Sequence, residues 1–285
     1  MLHLPDKSSL REWIASRGKT PRILVPTMGA LHRGHTSLFD RARREAHALG
    51  GGDVVATIFV NPTQFGPTED FEAYPRPLAE DLEQCRRHGV DAVFVPSAAE
   101  MYAPERSVVV AENRLSTRLC GASRPGHFDG VCTVVAKLFH LTQADVAVFG
   151  EKDFQQLAVI RRMVRDLDFP LRIVGAPTVR ESDGLALSSR NVYLTPEERL
   201  QAPLLQRALA ATARGIADGR LATPQAARES FLAEFAVATL ARLDYFEIVD
   251  AATLETSEVF GRSEARLLAA AFFGKTRLID NVGVA

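Results

Sequence analysis

Pro26-Thr27-Met28-Gly29-Ala30-Leu31-His32-Arg33-Gly34-His35 follows a short apolar run, Ile23-Leu24-Val25, and opens a segment of helical character that ends near Gly50. The order is strand, tight turn, helix, and it decides the fold class. Pro26 and Gly29 supply the turn chemistry. His32 and His35 stand three apart, so on a first helical turn they share one face. Gly34 between them has no Cβ and lets a ligand approach the backbone. A helix N-terminus adds unpaired N–H groups and the positive end of a dipole. Two imidazoles, bare backbone and that dipole suit a phosphate chain. Zinc ligation and plain surface histidines are the competing readings. Zinc needs a third N, S or O ligand, and no further Cys or His stands at metal spacing nearby.

Outward from this stretch, strands and helices alternate. The spacing predicts strands over 22–25, 54–60, 92–95, 107–110, 146–149 and 173–176. It predicts helices over 37–49, 77–88, about 130–141, and 154–166. The run over 54–60 is continuously apolar and β-branched, which suits a strand buried on both faces. Alternation of this kind argues for a parallel α/β sheet with right-handed crossovers. Ligands of such sheets bind beyond the carboxyl ends of the strands. The polar clusters fall there: after Val25, Val60, Phe149 and Ala176. Beyond about Tyr193 the texture changes. Thr195 and Pro196 start a helix. Ala-rich helices are expected over 196–218 and 224–241, a strand over 245–249, and a hairpin of 267–273 with 277–279 around Gly274-Lys275-Thr276. The expected division is a nucleotide- and substrate-binding domain over 1–186 and a smaller α+β lid over 187–285.

The chain has 285 residues, 46% hydrophobic and 24% charged, with net charge -1. These values are those of a soluble globular protein, without the basic field that marks nucleic-acid binding. Cys85, Cys120 and Cys132 follow no paired spacing, which suggests reduced thiols in a cytoplasmic protein. The N-terminus lacks an apolar signal core, and the longest apolar run, 267–273, is too short to span a bilayer.

Other clusters carry candidate chemistry. In Gly150-Glu151-Lys152-Asp153, between a strand and a helix, the lysine suits a phosphate as a mobile point charge. Asp153 is equally a helix cap. Leu187-Ser188-Ser189-Arg190 offers two hydroxyls and a forked cation, apt for polyphosphate oxygens, although a polar loop is the bland reading. Gln64 and Gln156 are neutral amides able to meet a hydroxy acid through donor and acceptor together. Arg124 and His127 precede a helix start, where they either hold an anion or cap and solvate the loop. Glu80-Asp81 reads as a solvated helix face before it reads as a magnesium site.

Taken together, PTMGALHRGH, FVNPTQF, RPGHFDGV, FGEKDFQQL and PTVRESDGLALSSRN, in this order and spacing, resemble the pantothenate synthetase (pantoate–β-alanine ligase) family. The HxGH element alone is shared with nucleotidylyltransferases and class I aminoacyl-tRNA synthetases. The resemblance implies a Rossmann-like sheet of the HxGH nucleotidylyltransferase type. It implies ATP-dependent joining of (R)-pantoate and β-alanine through pantoyl adenylate, with release of pyrophosphate and AMP. Met28, Gly29, Ala30, Leu31, His32, Arg33, Gly34 and His35 would bind ATP, with His35 as catalytic acid. Gly150, Glu151, Lys152, Asp153, Val179, Leu187, Ser188, Ser189 and Arg190 would also hold ATP. Gln64 would touch pantoate and β-alanine, and Gln156 pantoate. His32 and Lys152 would join His35 in stabilising charge on the reacting phosphates. Mg²⁺ would accompany the ATP phosphates, its protein ligands unassigned, and the family suggests a homodimer. Residues 64–74 and the C-terminal domain are candidates for excluding water. Leu187 stands where relatives often carry Met, a swap that keeps volume and apolar character. The alternatives are a nucleotidylyltransferase acting on another small acceptor and a nucleotide-binding regulatory module.

Overall fold

Every residue from Asp53 to Ile58 is buried, as a strand covered on both faces requires. It lies at the centre of a sheet in a computed structural model that describes residues 1–67, 69–261 and 264–284. The chain forms two compact units: Met1–Thr117, Gly121–Glu151 and Val159–Pro177 in the first, and Arg118–Cys120, Lys152–Ala158 and Thr178–Ala285 in the second.

Strands β1 (Leu2–Leu4), β2 (Arg22–Thr27), β3 (Asp53–Ile58), β4 (Ala92–Phe94), β5 (Val146–Gly150) and β6 (Arg172–Ala176) form one sheet in the order β1-β4-β3-β2-β5-β6. All neighbours are parallel. The helices are α1 (Lys7–Arg17), α2 (Arg33–Ala48), α3 (Leu78–Arg87), α4 (Ala98–Met101), α5 (Cys120–Ser123), α6 (His127–Thr142) and α7 (Phe154–Asp166). The strand order reverses direction between β2 and β5, the switch point at which open α/β sheets bind ligands. Pairing there is short. β2 and β5 match only at Ile23↔Val146 and Leu24↔Ala147, whereas β2 and β3 stay paired out to Thr27↔Ile58. The sheet therefore splits along its carboxyl edge between β2 and β5.

The parallel α/β class holds, and several local expectations change. β1 and α1 carry too little periodic pattern to announce themselves. α2 begins at Arg33 rather than 37, because His32 caps it. Residues 107–110 form no strand. The Val110 N–H binds Thr133 Oγ1 at 3.0 Å, and Val108 and Val109 are 78% and 65% exposed. The β-branched triplet has strand propensity, but no neighbouring strand among the described residues offers it a ladder.

The second unit holds α8 (Pro196–Gln201), α9 (Pro203–Ala217), α10 (Pro224–Phe235) and an antiparallel sheet β7 (Ala241–Asp250), β8 (Ala265–Phe273), β9 (Thr276–Gly283) in the order β7-β8-β9. Pro203, which has no N–H to donate, divides the helix expected over 196–218. α10 stops at Phe235, six residues before 241, where the chain turns into β7. The expected hairpin is β8 and β9, turned at Gly274 with φ +56°. Phe231 is fully buried and stacks on Phe246, ring centroids 3.9 Å apart.

In the first unit, α6 lies against the short 3₁₀ turn Pro62–Gln64 that follows β3. A Cβ on Gly130 would stand 2.4 Å from Thr63 O and 2.7 Å from Gln64 N. Gly130→Ala is therefore expected to destabilise by about 1–3 kcal/mol, the cost of overpacking. In an unencumbered helix interior the same change stabilises by about 1 kcal/mol. The sign of the shift in urea midpoint distinguishes the two.

Candidate active site

The turn after β2 places two successive residues in the left-handed region, Gly29 at φ +83° and Ala30 at φ +50°. Only glycine adopts that region at no cost. Asp81 of α3, 2% exposed, holds the turn in place. Its Oδ2 accepts the Ala30 N–H at 2.8 Å, and its Oδ1 accepts the Leu31 N–H at 2.7 Å. A Cβ on Gly29 would stand 2.8 Å from Asp81 Oδ2, so the side chain and the glycine fit one another. Thr27 completes the turn: its Oγ1 donates to Thr57 O at 2.6 Å and accepts the Gly29 N–H at 3.2 Å. Burial pushes the Asp81 carboxyl above its ordinary value, against the two N–H bonds that lower it.

The clamped turn delivers His32 to the N-cap of α2. Its Nδ1 accepts the Gly34 N–H at 3.1 Å, while His35 Nδ1 accepts the His32 N–H at 3.3 Å. This is a capping box built from imidazoles rather than from hydroxyls and carboxylates. The chemistry follows from the bonds. A nitrogen that accepts a hydrogen bond carries no proton, so both rings are the Nε2–H tautomer. Each Nε2 is a donor, and the ring centroids are 4.1 Å apart. Two ring donors stand at the positive end of a helix.

Gln64 reaches the same turn. Its Nε2 lies 3.1 Å from Met28 Sδ, and its Oε1 accepts from Asn61 Nδ2 at 3.1 Å. Asn61, 1% exposed, also donates to Gly130 O at 3.1 Å and accepts from Tyr102 Oη at 2.7 Å. Met28, Gly29, Ala30, Leu31, His32, Arg33, Gly34, His35 and Gln64 thus form one neighbourhood. Gly150 and Glu151 belong to the same unit, at the carboxyl end of β5 beside β2. Arg124 and His127 are both engaged by the segment over 64–74: Arg124 forks Glu69 at 2.6 and 2.7 Å, and His127 Nδ1 lies 2.8 Å from Gln64 O. Thr68, within that segment, lies outside the described residues.

The second unit carries Lys152, Asp153, Gln156, Val179, Leu187, Ser188, Ser189 and Arg190. The Lys152 carbonyl accepts from Asn281 Nδ2 at 2.9 Å, and Lys152 Nζ stands 3.8 Å from Asp153 Oδ1. The Leu187 N–H binds Val179 O at 3.0 Å, with Arg180 and Ala186 bridged antiparallel between them. Val179 and Leu187 are therefore neighbours in space. The Leu187 side chain is buried, as an apolar replacement for Met requires. Ser188 Oγ caps the next turn by accepting the Arg190 N–H at 3.2 Å. Of the adjacent amides, Gln155 is structural: it is 4% exposed, accepts the Cys120 N–H and donates to Arg118 O. Gln156 is half-buried.

Asp81, expected on a solvated helix face, is instead buried, and Asn61 and Asn281 escaped the sequence reading. Asp81 carried a signal, since it stands four residues before the buried Cys85 and so shares the inward face of α3. Glu80 beside it is exposed. Asn61 and Asn281 carried none, because their bonds reach across the fold to Gly130 and Lys152. No group of three or more His, Cys, Asp or Glu among the described residues is arranged to hold a metal ion.

Comparison with known proteins gives a consistent result. A family model described as pantoate-beta-alanine ligase matches residues 3–283. The pantothenate synthetase of Akkermansia muciniphila is 52% identical over 262 residues, 91% of either chain. That of Caulobacter vibrioides is 50% identical over 280 residues, covering 98% of this chain and 95% of its own. The crystal structure of the Thermus thermophilus pantothenate synthetase superposes with a TM-score of 0.93 at 47% identity, covering 100% of this chain and 99% of that one. The pantoate-beta-alanine ligase of Francisella tularensis, solved with beta-gamma ATP and beta-alanine, gives 0.81 at 31% identity over 99% and 97%.

Two measurements test the geometry. Asp81→Ala leaves two backbone N–H groups unpaired in a buried turn and is expected to cost about 2–5 kcal/mol in urea unfolding. For Glu69, burial raises the carboxyl, but the Arg124 bond and charge and the Gly66 N–H together hold it below its ordinary value. Its contribution is therefore complete above the ordinary glutamate value and is lost as pH falls through the lowered one. Glu69→Gln should flatten the acid limb of a stability–pH curve, and an unchanged limb would contradict this.

Proposed function

The chain belongs to the pantoate–β-alanine ligase family, and from that premise we propose that it condenses (R)-pantoate with β-alanine, driven by ATP, through a pantoyl adenylate. The supporting observation is the imidazole capping box: two ring N–H donors fixed at a helix N-terminus, on a clamped turn beside the split in the sheet.

In the first step a pantoate carboxylate oxygen bonds to the α-phosphorus of ATP, and the bond to the pyrophosphate oxygen breaks. Negative charge grows on the phosphate oxygens and on the leaving pyrophosphate. Such chemistry is mostly positioning and charge stabilisation. His35 donates from Nε2 as the acid, with His32 beside it, and Lys152 supplies the mobile cation. Met28, Gly29, Ala30, Leu31, Arg33 and Gly34, with Gly150, Glu151, Asp153, Val179, Leu187, Ser188, Ser189 and Arg190, are assigned to ATP. In the second step the β-alanine amine attacks the activated carbonyl, AMP leaves and the nitrogen loses a proton. Gln64 is assigned to both acids and Gln156 to pantoate. The Francisella tularensis relative, solved with beta-gamma ATP and beta-alanine, supports this substrate set.

Mg²⁺ would travel with the ATP phosphates and keep several waters, as this ion does. Asp81 is assigned to the turn and not to the ion, since it is buried and each of its oxygens holds a backbone N–H group. The C-terminal residues, 187–285, are assigned the role of a lid that keeps water from the adenylate. A cytoplasmic homodimer is the form we propose for the enzyme. No helix among the described residues is long and apolar enough to cross a membrane, and the exposed Val108-Val109 segment supports pairing with a second copy.

Pantoate-dependent exchange between pyrophosphate and ATP reports the first step alone. Exchange that requires pantoate but not β-alanine is expected, and ADP release instead would refute the mechanism. His35→Ala should lower turnover by about a hundredfold, the usual scale for losing an acid or a charge-stabilising donor. Near-normal turnover in a folded variant removes His35 from the chemistry.

A further inference from the structure

Gln64 gives its side chain to Met28 and Asn61, and its backbone carbonyl is gripped from the other side. His127 Nδ1 lies 2.8 Å from Gln64 O, and Arg124 Nη2 donates to the same oxygen at 3.3 Å. Arg124 Nη1 meets His127 Nε2 at 3.0 Å. The rest of the guanidinium forks Glu69, Nε to Oε1 at 2.6 Å and Nη2 to Oε2 at 2.7 Å, and Glu69 Oε2 also accepts the Gly66 N–H at 3.2 Å. The proton positions follow from elimination. A carbonyl only accepts, so His127 Nδ1 carries the hydrogen. A guanidinium only donates, so Nε2 offers its lone pair to Arg124. The imidazole is neutral, locked in one tautomer, and opposite in sense to His32 and His35.

The segment after Gln64 has its own internal packing. Phe65 meets Phe71 and Tyr74 edge-on, at 5.4 and 6.0 Å between centroids, and Arg76 donates to the carbonyls of Phe71, Glu72 and Tyr74. Among the described residues, 65–67 and 69–76 thus carry their own packing and are tied to the start of α6 through Glu69, Arg124 and His127. We infer that the Glu69–Arg124–His127 relay is a latch that positions Gln64 for the acid substrates, with Arg124 and His127 as positioning residues. This rests on the assignment of Gln64 to pantoate and β-alanine.

The geometry sets the substitutions. His127→Phe keeps a ring but removes both nitrogens. His127→Asn keeps a donor at the Nδ1 position. Arg124→Lys cannot fork Glu69 and reach both other partners at once. The first readout is amide hydrogen exchange over residues 64–74, which does not depend on any substrate assignment. His127→Phe and Arg124→Lys should speed exchange there about tenfold, the scale of one lost hydrogen bond, with the α2 amides unchanged. His127→Asn should stay near wild type. The second readout is kinetic, with Gln64→Ala as reference. His127→Phe should raise the pantoate KM about tenfold, with kcat and the ATP KM within about threefold, in the pattern of Gln64→Ala. Unchanged exchange in His127→Phe overturns the latch. So does an unchanged pantoate KM in that variant when Gln64→Ala raises it. If Gln64→Ala itself leaves both acid KM values unchanged, the substrate assignment fails, and the exchange result alone decides whether the latch stands.

Discussion

A buried carboxylate facing two consecutive backbone N–H groups is the constraint on which the first unit's site depends. Gly29 and Ala30 both sit at positive φ, a conformation that a chain does not hold without support. Asp81 supplies it from another helix, and Gly29 leaves the room its oxygen needs. Burying the carboxylate charge has a cost, which pushes the Asp81 carboxyl above its ordinary value. Two charge-assisted bonds and a fixed turn offset that cost. Everything downstream inherits the geometry: the position of His32 as cap, the direction of α2, and Met28 against Gln64.

The same logic recurs with imidazoles. Three histidines have their proton positions set by fixed backbone or guanidinium partners. At His32 and His35 the Nδ1 lone pairs are taken by backbone N–H groups, which puts the hydrogen on Nε2. At His127 the hydrogen stays on Nδ1, where it faces the Gln64 carbonyl. Side chains of one type thus serve opposite ends, accepting backbone N–H groups at a helix start in one place and gripping a loop carbonyl in the other. Backbone partners decide the difference.

The sheet and its strand-end clusters were legible because they rest on local pattern. Apolar β-branched runs mark β2, β3, β5 and β6, and Gly or Pro breaks mark their ends. What the pattern missed was decided elsewhere in the chain. α2 starts at a histidine cap, whereas Ser, Thr, Asp and Asn are the residues that usually announce one. Residues 107–110 have the composition of a strand but no ladder partner. Pro203 was visible, yet its cut through the helix was read as continuity. Asp81 looked like half of an exposed acidic pair until its spacing to Cys85 put it on the buried face. Arg124 and His127 were visible as polar residues before a helix, and their purpose depended on Glu69 and Gln64, about sixty residues away. Asn281 could not be connected with Lys152 by any local rule.

The three cysteines are unbonded and buried. Burial, aided by the nearby Asp81 charge, pushes the Cys85 thiol up to about 12, and burial with Glu112 and Asp129 does the same for Cys132. A thiolate is the reactive form, so both sulfurs are inert while the protein is closed. Alkylating reagents therefore have to wait for an opening event. Cys85 stands one helical turn from the carboxylate that fixes the turn after β2, so the chain carries its own chemical timer for the departure of α3.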